Sequence, residues 1–291
     1  MGMGIDMQGQ WNRRTASGLG ATALVWGLMT GGAMAYPGGT PDFQTDVGPY
    51  CAGCHSSTSA EDLSGLGGNR ADAELALNKH FGAILSGAGK YAELSEAERK
   101  KLVELLSAVD QNSTIALEFP PSVAPDSTFQ VTVKVTGGAG PSVGVGLVDR
   151  PHRFFAKPAS ALGWEVVGAP TIIGPKGPQS AWISRRPERE GRGITFVNVE
   201  GVHSNADTDK WSRAKIIYTL RAPSEVGEYP LVGAYFYGTE TGTSLSTTVH
   251  PEFGPQPLGG ALGKSGRVKF SNSAVITVKH ADVQPVAEIA P

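Results

Sequence analysis

The stretch "STFQVTVKVT", residues 127–136, decides how the larger part of the chain folds. Phe129, Val131, Val133 and Val135 alternate with Gln130, Thr132 and Lys134. That period of two puts every apolar side chain on one face of a strand. Working outward, "SVGVGLV" (142–148), "GITFVNVE" (193–200), "AKIIYTLRA" (214–222), "YPLVGAYFY" (229–237) and "RVKFSNSAVITVKH" (267–280) repeat the pattern between turn residues. Weaker strands are expected around Trp164 and Ala181. Short strands, Pro/Gly-rich loops and no long helix predict an antiparallel β-sandwich over residues 115–280, with a tail at 281–291. Gly at 39 and Pro at 20 agree with a loop-rich β-protein over a helical bundle.

Toward the amino terminus the period changes. "SEAERKKLVELLSAVD" (95–110) begins with a capping box, Ser95 followed by Glu98. Leu102, Leu105, Leu106 and Val109 then share one helix face. Before it, "NRADAELALNKHFGAILSG" (69–87) gives a second helix, with Leu77, Phe81, Ile84 and Leu85 as its stripe and Gly87 as its stop. The prolines of "NSTIALEFPPSVAPDS" (112–127) suit a linker, so residues 36–114 are expected to form a small helical domain.

That segment carries "VGPYCAGCHSS" (47–57), with the chain's only two cysteines, Cys51 and Cys54, and His55 directly behind them. A structural zinc site wants four Cys or His ligands, and no second pair is present. A redox dithiol should close a strand-to-helix turn, yet "YPGGTPDFQTDVGP" before Cys51 reads as loop. Covalent haem fits better, each thiol adding to a vinyl group and His55 lying beneath the iron. A plain disulfide or dithiol and zinc remain the alternatives.

The amino terminus agrees with export. Arg13 and Arg14 precede "GLGATALVWGLMT" and then "GGAMAYP", where Ala33 and Ala35 match an A-x-A cleavage site. The reading is a signal peptide over residues 1–35, an uncleaved anchor being the alternative, and a periplasmic or extracellular location. No later segment is long and apolar enough to span a membrane. Free thiols do not persist in an oxidising compartment, whereas thioethers to haem do. The formal net charge of −2 points to neither nucleic acid nor an anionic membrane as partner.

Residues 46–110 resemble a single-haem class I cytochrome c domain. The order matches: "CAGCH", then "LSGLGGNR", a middle helix, and "GAGKYAELSEAERKKLVELLSAV". The resemblance covers about a quarter of the chain, and beyond "CAGCH" it is generic. It implies a small all-α domain, one covalent haem c and a methionine as second iron ligand. Here the chain departs from the family. Tyr91 stands where that methionine would fall, and all five methionines lie at or before position 34. "APSEVGEYPLVGAYFY" (222–237) resembles, more weakly, the final strands of immunoglobulin-like and reelin-like modules, which implies a scaffold without an active site. The expected fold class is therefore α + β multidomain, an all-α cytochrome c domain followed by an immunoglobulin-like sandwich.

The sixth iron position has several candidates. His80 lies on the apolar face of the middle helix, three residues after Leu77 and four before Ile84. It is either the distal ligand or a buried, hydrogen-bonded histidine. Tyr91 is the alternative ligand, phenolate ligation having precedent. An open or water-bound site and a histidine from the sandwich (His152, His203, His250 or His280) complete the set. The expected function is single-electron transfer to a redox partner protein or larger assembly, not enzymatic turnover. One alternative is a haem protein with an open sixth position that binds a small molecule or reduces peroxide. Another is a structural surface protein that carries haem.

Other features carry less. "NADTD" (205–209) is spaced like a calcium loop, but Lys210 replaces its glycine and no bidentate Glu follows. Arg185, Arg186, Arg189 and Arg192 fit a solvated hairpin tip. Trp164, Trp182 and Trp211 read as sandwich core.

Overall fold

The computed structural model describes residues 76–151, 157–180, 195–251, 254–259 and 266–280. Cys51, Cys54, His55, the leader, His152, Ala181, Trp182, the arginine loop and the tail lie outside the described residues.

Among the described residues two helices come first, α1 (Ala76–Leu85) and α2 (Glu96–Gln111). The strands that follow are β1 (Thr114–Glu118), β2 (Ser122–Val123), β3 (Thr128–Thr136), β4 (Ala139–Val148), β5 (Glu165–Val166), β6 (Thr171–Gly174), β7 (Gly177–Gln179), β8 (Phe196–Glu200), β9 (Arg213–Arg221), β10 (Gly227–Gly238), β11 (Thr247–His250), β12 (Gly254–Pro257), β13 (Gly266–Phe270) and β14 (Ala274–Val278). Among the described residues they make two six-stranded sheets and a separate β11–β12 hairpin. One sheet runs β1-β3-β9-β6-β7, with β5 also on β9. The other runs β2-β14-β10-β4-β8, with β13 also on β10. Pairing is antiparallel except between β14 and β2. No helix among the described residues is long and apolar enough to cross a membrane.

Alternation becomes burial as expected. Val131, Val133 and Val135 of β3 and Ala214, Ile216, Tyr218 and Leu220 of β9 turn inward. They meet Val143, Val145 and Leu147 of β4 and Ile276 and Val278 of β14. Trp164 is buried among them, edge-on to Phe129 and Tyr229. On the opposite face of β4, Gly144 and Gly146 lie beneath the ring of Phe196. A Cβ on Gly144 would come 2.3 Å from Phe196 Cζ. Gly144→Val should therefore overpack the site and remove about 1–3 kcal/mol of stability. The check is a lower urea midpoint at unchanged slope.

The stretch read as one strand from Arg267 to His280 is two strands, β13 and β14. They pair with successive halves of the same side of β10. The stretch read as linker contains β1, which is separated from the end of α2 by two residues. Ser113, between them, is buried. It donates to Val109 O at 2.7 Å and accepts from Gly138 N at 2.8 Å.

The helices form for the expected local reasons. In the capping box of α2, Glu98 N–H donates to Ser95 Oγ at 3.3 Å, and Ser95 N–H donates to Glu98 Oε2 at 2.7 Å. Ser95 Oγ also donates to Glu98 Oε2 at 2.6 Å, and this bond, followed by the one from Ser95 N–H, holds the Glu98 carboxyl below its usual range. Gly87, at φ +69°, ends α1 in the left-handed region, and Ala88 N–H reaches back to Ala83 O at 2.9 Å.

The expected fold class needs correction at its first half. Among the described residues strands take 46% and helices 23%, in two short helices, so no small all-α domain is visible there. The physical reason is a shared core. Ile84, Tyr91, Leu102 and Leu106 are closed by Leu258, with Leu245 packed alongside. Both leucines follow β10, on the sandwich side of the chain. All described residues belong to one compact unit.

Candidate functional site

The helix pair meets the sandwich through a buried polar network. His80 comes from α1 and Tyr91 from the turn between the helices. Glu240 opens the turn after β10, and Arg267 lies on β13. Each is at most 2% exposed. His80 Nε2 is 2.6 Å from Glu240 Oε1 and 3.0 Å from Tyr91 Oη. Tyr91 Oη donates to the same Glu240 Oε1. Gly259 N–H donates to Glu240 Oε2 at 2.8 Å. Arg267 Nη2 lies 3.0 Å from His80 Nδ1, and its guanidinium sits 5.7 Å above the ring centre of Phe81.

The donors fix the tautomer. Arginine only donates, so His80 Nδ1 accepts and Nε2 carries the proton that it donates to Glu240. Burial, reinforced by the charge and hydrogen bond of Glu240, pushes the Tyr91 phenol far above its usual range, against a smaller pull from Arg267. Burial pulls Arg267 down, while Asp110, Tyr237, Glu240 and Tyr91 hold it up. The buried carboxylate thus takes its hydrogen bonds from neutral donors, and its charge offsets that of Arg267 through space.

A second contact lies beside it. Tyr237 Oη, on β10, donates to Asp110 Oδ1 near the end of α2, and Lys269 Nζ donates to Ser113 O at 3.0 Å. Arg267 and Lys269 are two apart on β13 and share a face, while Val268 and Phe270 pack on the other side with Phe236.

These positions bear on the expected iron ligands. His80 is buried and hydrogen-bonded through both ring nitrogens. Ligation through Nε2 would drive its proton to Nδ1, where the Arg267 N–H points, placing donor against donor. Ligation through Nδ1 would displace Arg267. Tyr91 is held as a protonated donor to Glu240. Neither residue fits an iron in this arrangement. His203 and His280 are exposed. Cys51, Cys54 and His55 belong to the segment before α1, and no site geometry follows for them.

The calcium-like spacing is spent elsewhere. Asp207 Oδ2 accepts from Ser244 N–H at 2.8 Å, and Asp209 accepts from Trp211 Nε1–H at 2.8 Å. Trp211 is accordingly half-buried beside that turn and not in the core expected for it. No cluster of three or more His, Cys, Asp or Glu able to hold a metal ion occurs among the described residues.

Sequence reasoning missed Glu240, Arg267, Asp110 and Tyr237. One signal was available. Arg267 and Lys269 alternate with Val268 and Phe270, so one face of that strand presents two cations that need acidic partners if covered. Nothing local names the partners, because Glu240 lies 160 residues from His80. No protein-family model matches the chain, and no curated protein is similar to it.

Proposed function

We propose that the chain is an exported haem-c protein that passes single electrons to a partner protein, with the sandwich serving as its scaffold. The observation that carries this reading is the C-x-x-C-H spacing of Cys51, Cys54 and His55 in a chain with no other cysteine. The leader-like amino terminus supports it. Haem bound there would supply one-electron cycling between ferric and ferrous iron. The chain's own part is to hold the two thioethers and His55, to limit water access and to present a face to the partner.

A second reading gains from the hydrogen bonds of His80 and Tyr91. With both side chains committed to Glu240 and Arg267, the sixth position is left for a small exogenous ligand. One experiment addresses both readings. Protein produced with a haem-attachment system should stay red after acid-acetone extraction, with its mass raised by one haem. Cys51→Ala combined with Cys54→Ala should release the pigment completely. Retention of covalent haem by the double variant would sink the proposal. Among haem-loaded outcomes, rapid carbon monoxide binding by the reduced parent selects the second reading, and no binding selects electron transfer.

A further inference from the structure

We propose that Tyr91 is a redox-active tyrosine, which yields one electron to a strong metal-centred oxidant as its phenolic proton passes to Glu240. This goes beyond the haem reading and does not depend on it.

The argument starts from the acidity of an oxidised phenol. Removing an electron turns a phenol from a very weak acid into a strong one. Oxidation is therefore easy only where a base already holds the proton. Tyr91 Oη donates to Glu240 Oε1, with His80 Nε2 a further 3.0 Å away. The Glu240 and His80 side chains are wholly buried, so water does not compete for the proton. The proton stays on Tyr91 until the electron leaves, because burial and the charge of Glu240 both favour the neutral phenol.

The step balances. The O–H bond of Tyr91 breaks, an O–H bond forms on Glu240, and the oxidant gains one electron. The products are a neutral tyrosyl radical and a neutral carboxyl group. Arg267, which offset the carboxylate, is left as the net charge of the site. Reduction of the radical returns the proton along the same hydrogen bond.

The other tyrosines among the described residues are less suited. Tyr218 and Tyr235 donate to backbone carbonyls, Val145 O at 3.2 Å and Gly137 O at 3.0 Å, and a carbonyl takes no proton. Tyr229 likewise donates to Glu225 O. Tyr237 does meet a carboxylate, but Asp110 is 13% exposed, has Lys269 Nζ 4.0 Å from it and has no imidazole bonded to it. Tyr237 is itself buried, but its proton acceptor is reached by water and shares its charge with Lys269.

The test uses the full chain, flash-oxidised by a photo-excited ruthenium polypyridyl with a sacrificial cobalt(III) acceptor, then frozen for electron paramagnetic resonance. The parent should show a neutral tyrosyl spectrum. Tyr91→Phe should abolish most of it, and Tyr237→Phe should leave it. Glu240→Gln preserves the shape and removes the proton acceptor, so radical formation should slow roughly a hundredfold, the scale of a positioned proton transfer. Near-ultraviolet circular dichroism checks that each variant keeps the parent packing. No radical in the parent overturns the proposal. So does an undiminished radical in Tyr91→Phe, or an unchanged rate in Glu240→Gln.

Discussion

Replacing Glu240 by alanine should remove about 3–5 kcal/mol of stability, the cost of leaving a buried charge without its partner. The carboxylate takes hydrogen bonds from His80, Tyr91 and the Gly259 amide. Its loss leaves all three donors inside the protein, and Arg267 without the nearby anion. A water entering the space left by the side chain would accept only part of these bonds and would bring no charge to offset Arg267. The loss should therefore show in two ways. Urea denaturation should reach its midpoint earlier, and amide exchange in α1 should accelerate more than in β9, at the centre of the opposite sheet. Glu240→Gln should lose much less, because one acceptor oxygen remains. A loss under about 1 kcal/mol in the alanine variant would mean that the network is not what fastens the helices.

A fragment of residues 36–114 should lack a cooperative unfolding transition, and adding haem should not restore one. The sequence alone leads to the opposite expectation, a haem domain that stands by itself. Helices of 10 and 16 residues are marginal in water without tertiary partners. The partners of these two are Leu258, Leu245, Glu240 and Arg267, all outside the fragment. Circular dichroism against temperature, with and without attached haem, checks the prediction. A sharp transition in the haem-loaded fragment would show that the pigment can close the core in place of Leu258.

What could be read from the sequence follows the range of the forces involved. The capping box, the Gly87 stop and the alternation of β3 and β9 are local or periodic, and they stand where they were expected. The strand β1 escaped because its five residues adjoin the prolines that read as a linker. Its pairing with β3 depends on residues 14–22 positions further along. His80 on an apolar face announced a buried histidine, but two uses of such a residue look alike in sequence. The distinction required Glu240, in what reads as an ordinary turn after a long apolar strand, and Arg267, in what reads as a strand entry. Long-range charge pairing of this kind leaves no period behind.

The junction at Ser113 has a consequence for how copies of the protein interact. Two chains can trade a structural element only if a connecting loop can straighten into a hinge. Here α2 hands over to β1 within two residues, and the side chain between them is buried with hydrogen bonds to Val109 and Gly138. Straightening that joint would break both bonds and leave the buried Ser113 hydroxyl and the Gly138 amide without their partners. The helix pair is thus confined to its own sandwich. The melting temperature should accordingly stay constant across a wide dilution series, and swapped dimers should not accumulate on refolding at high protein concentration.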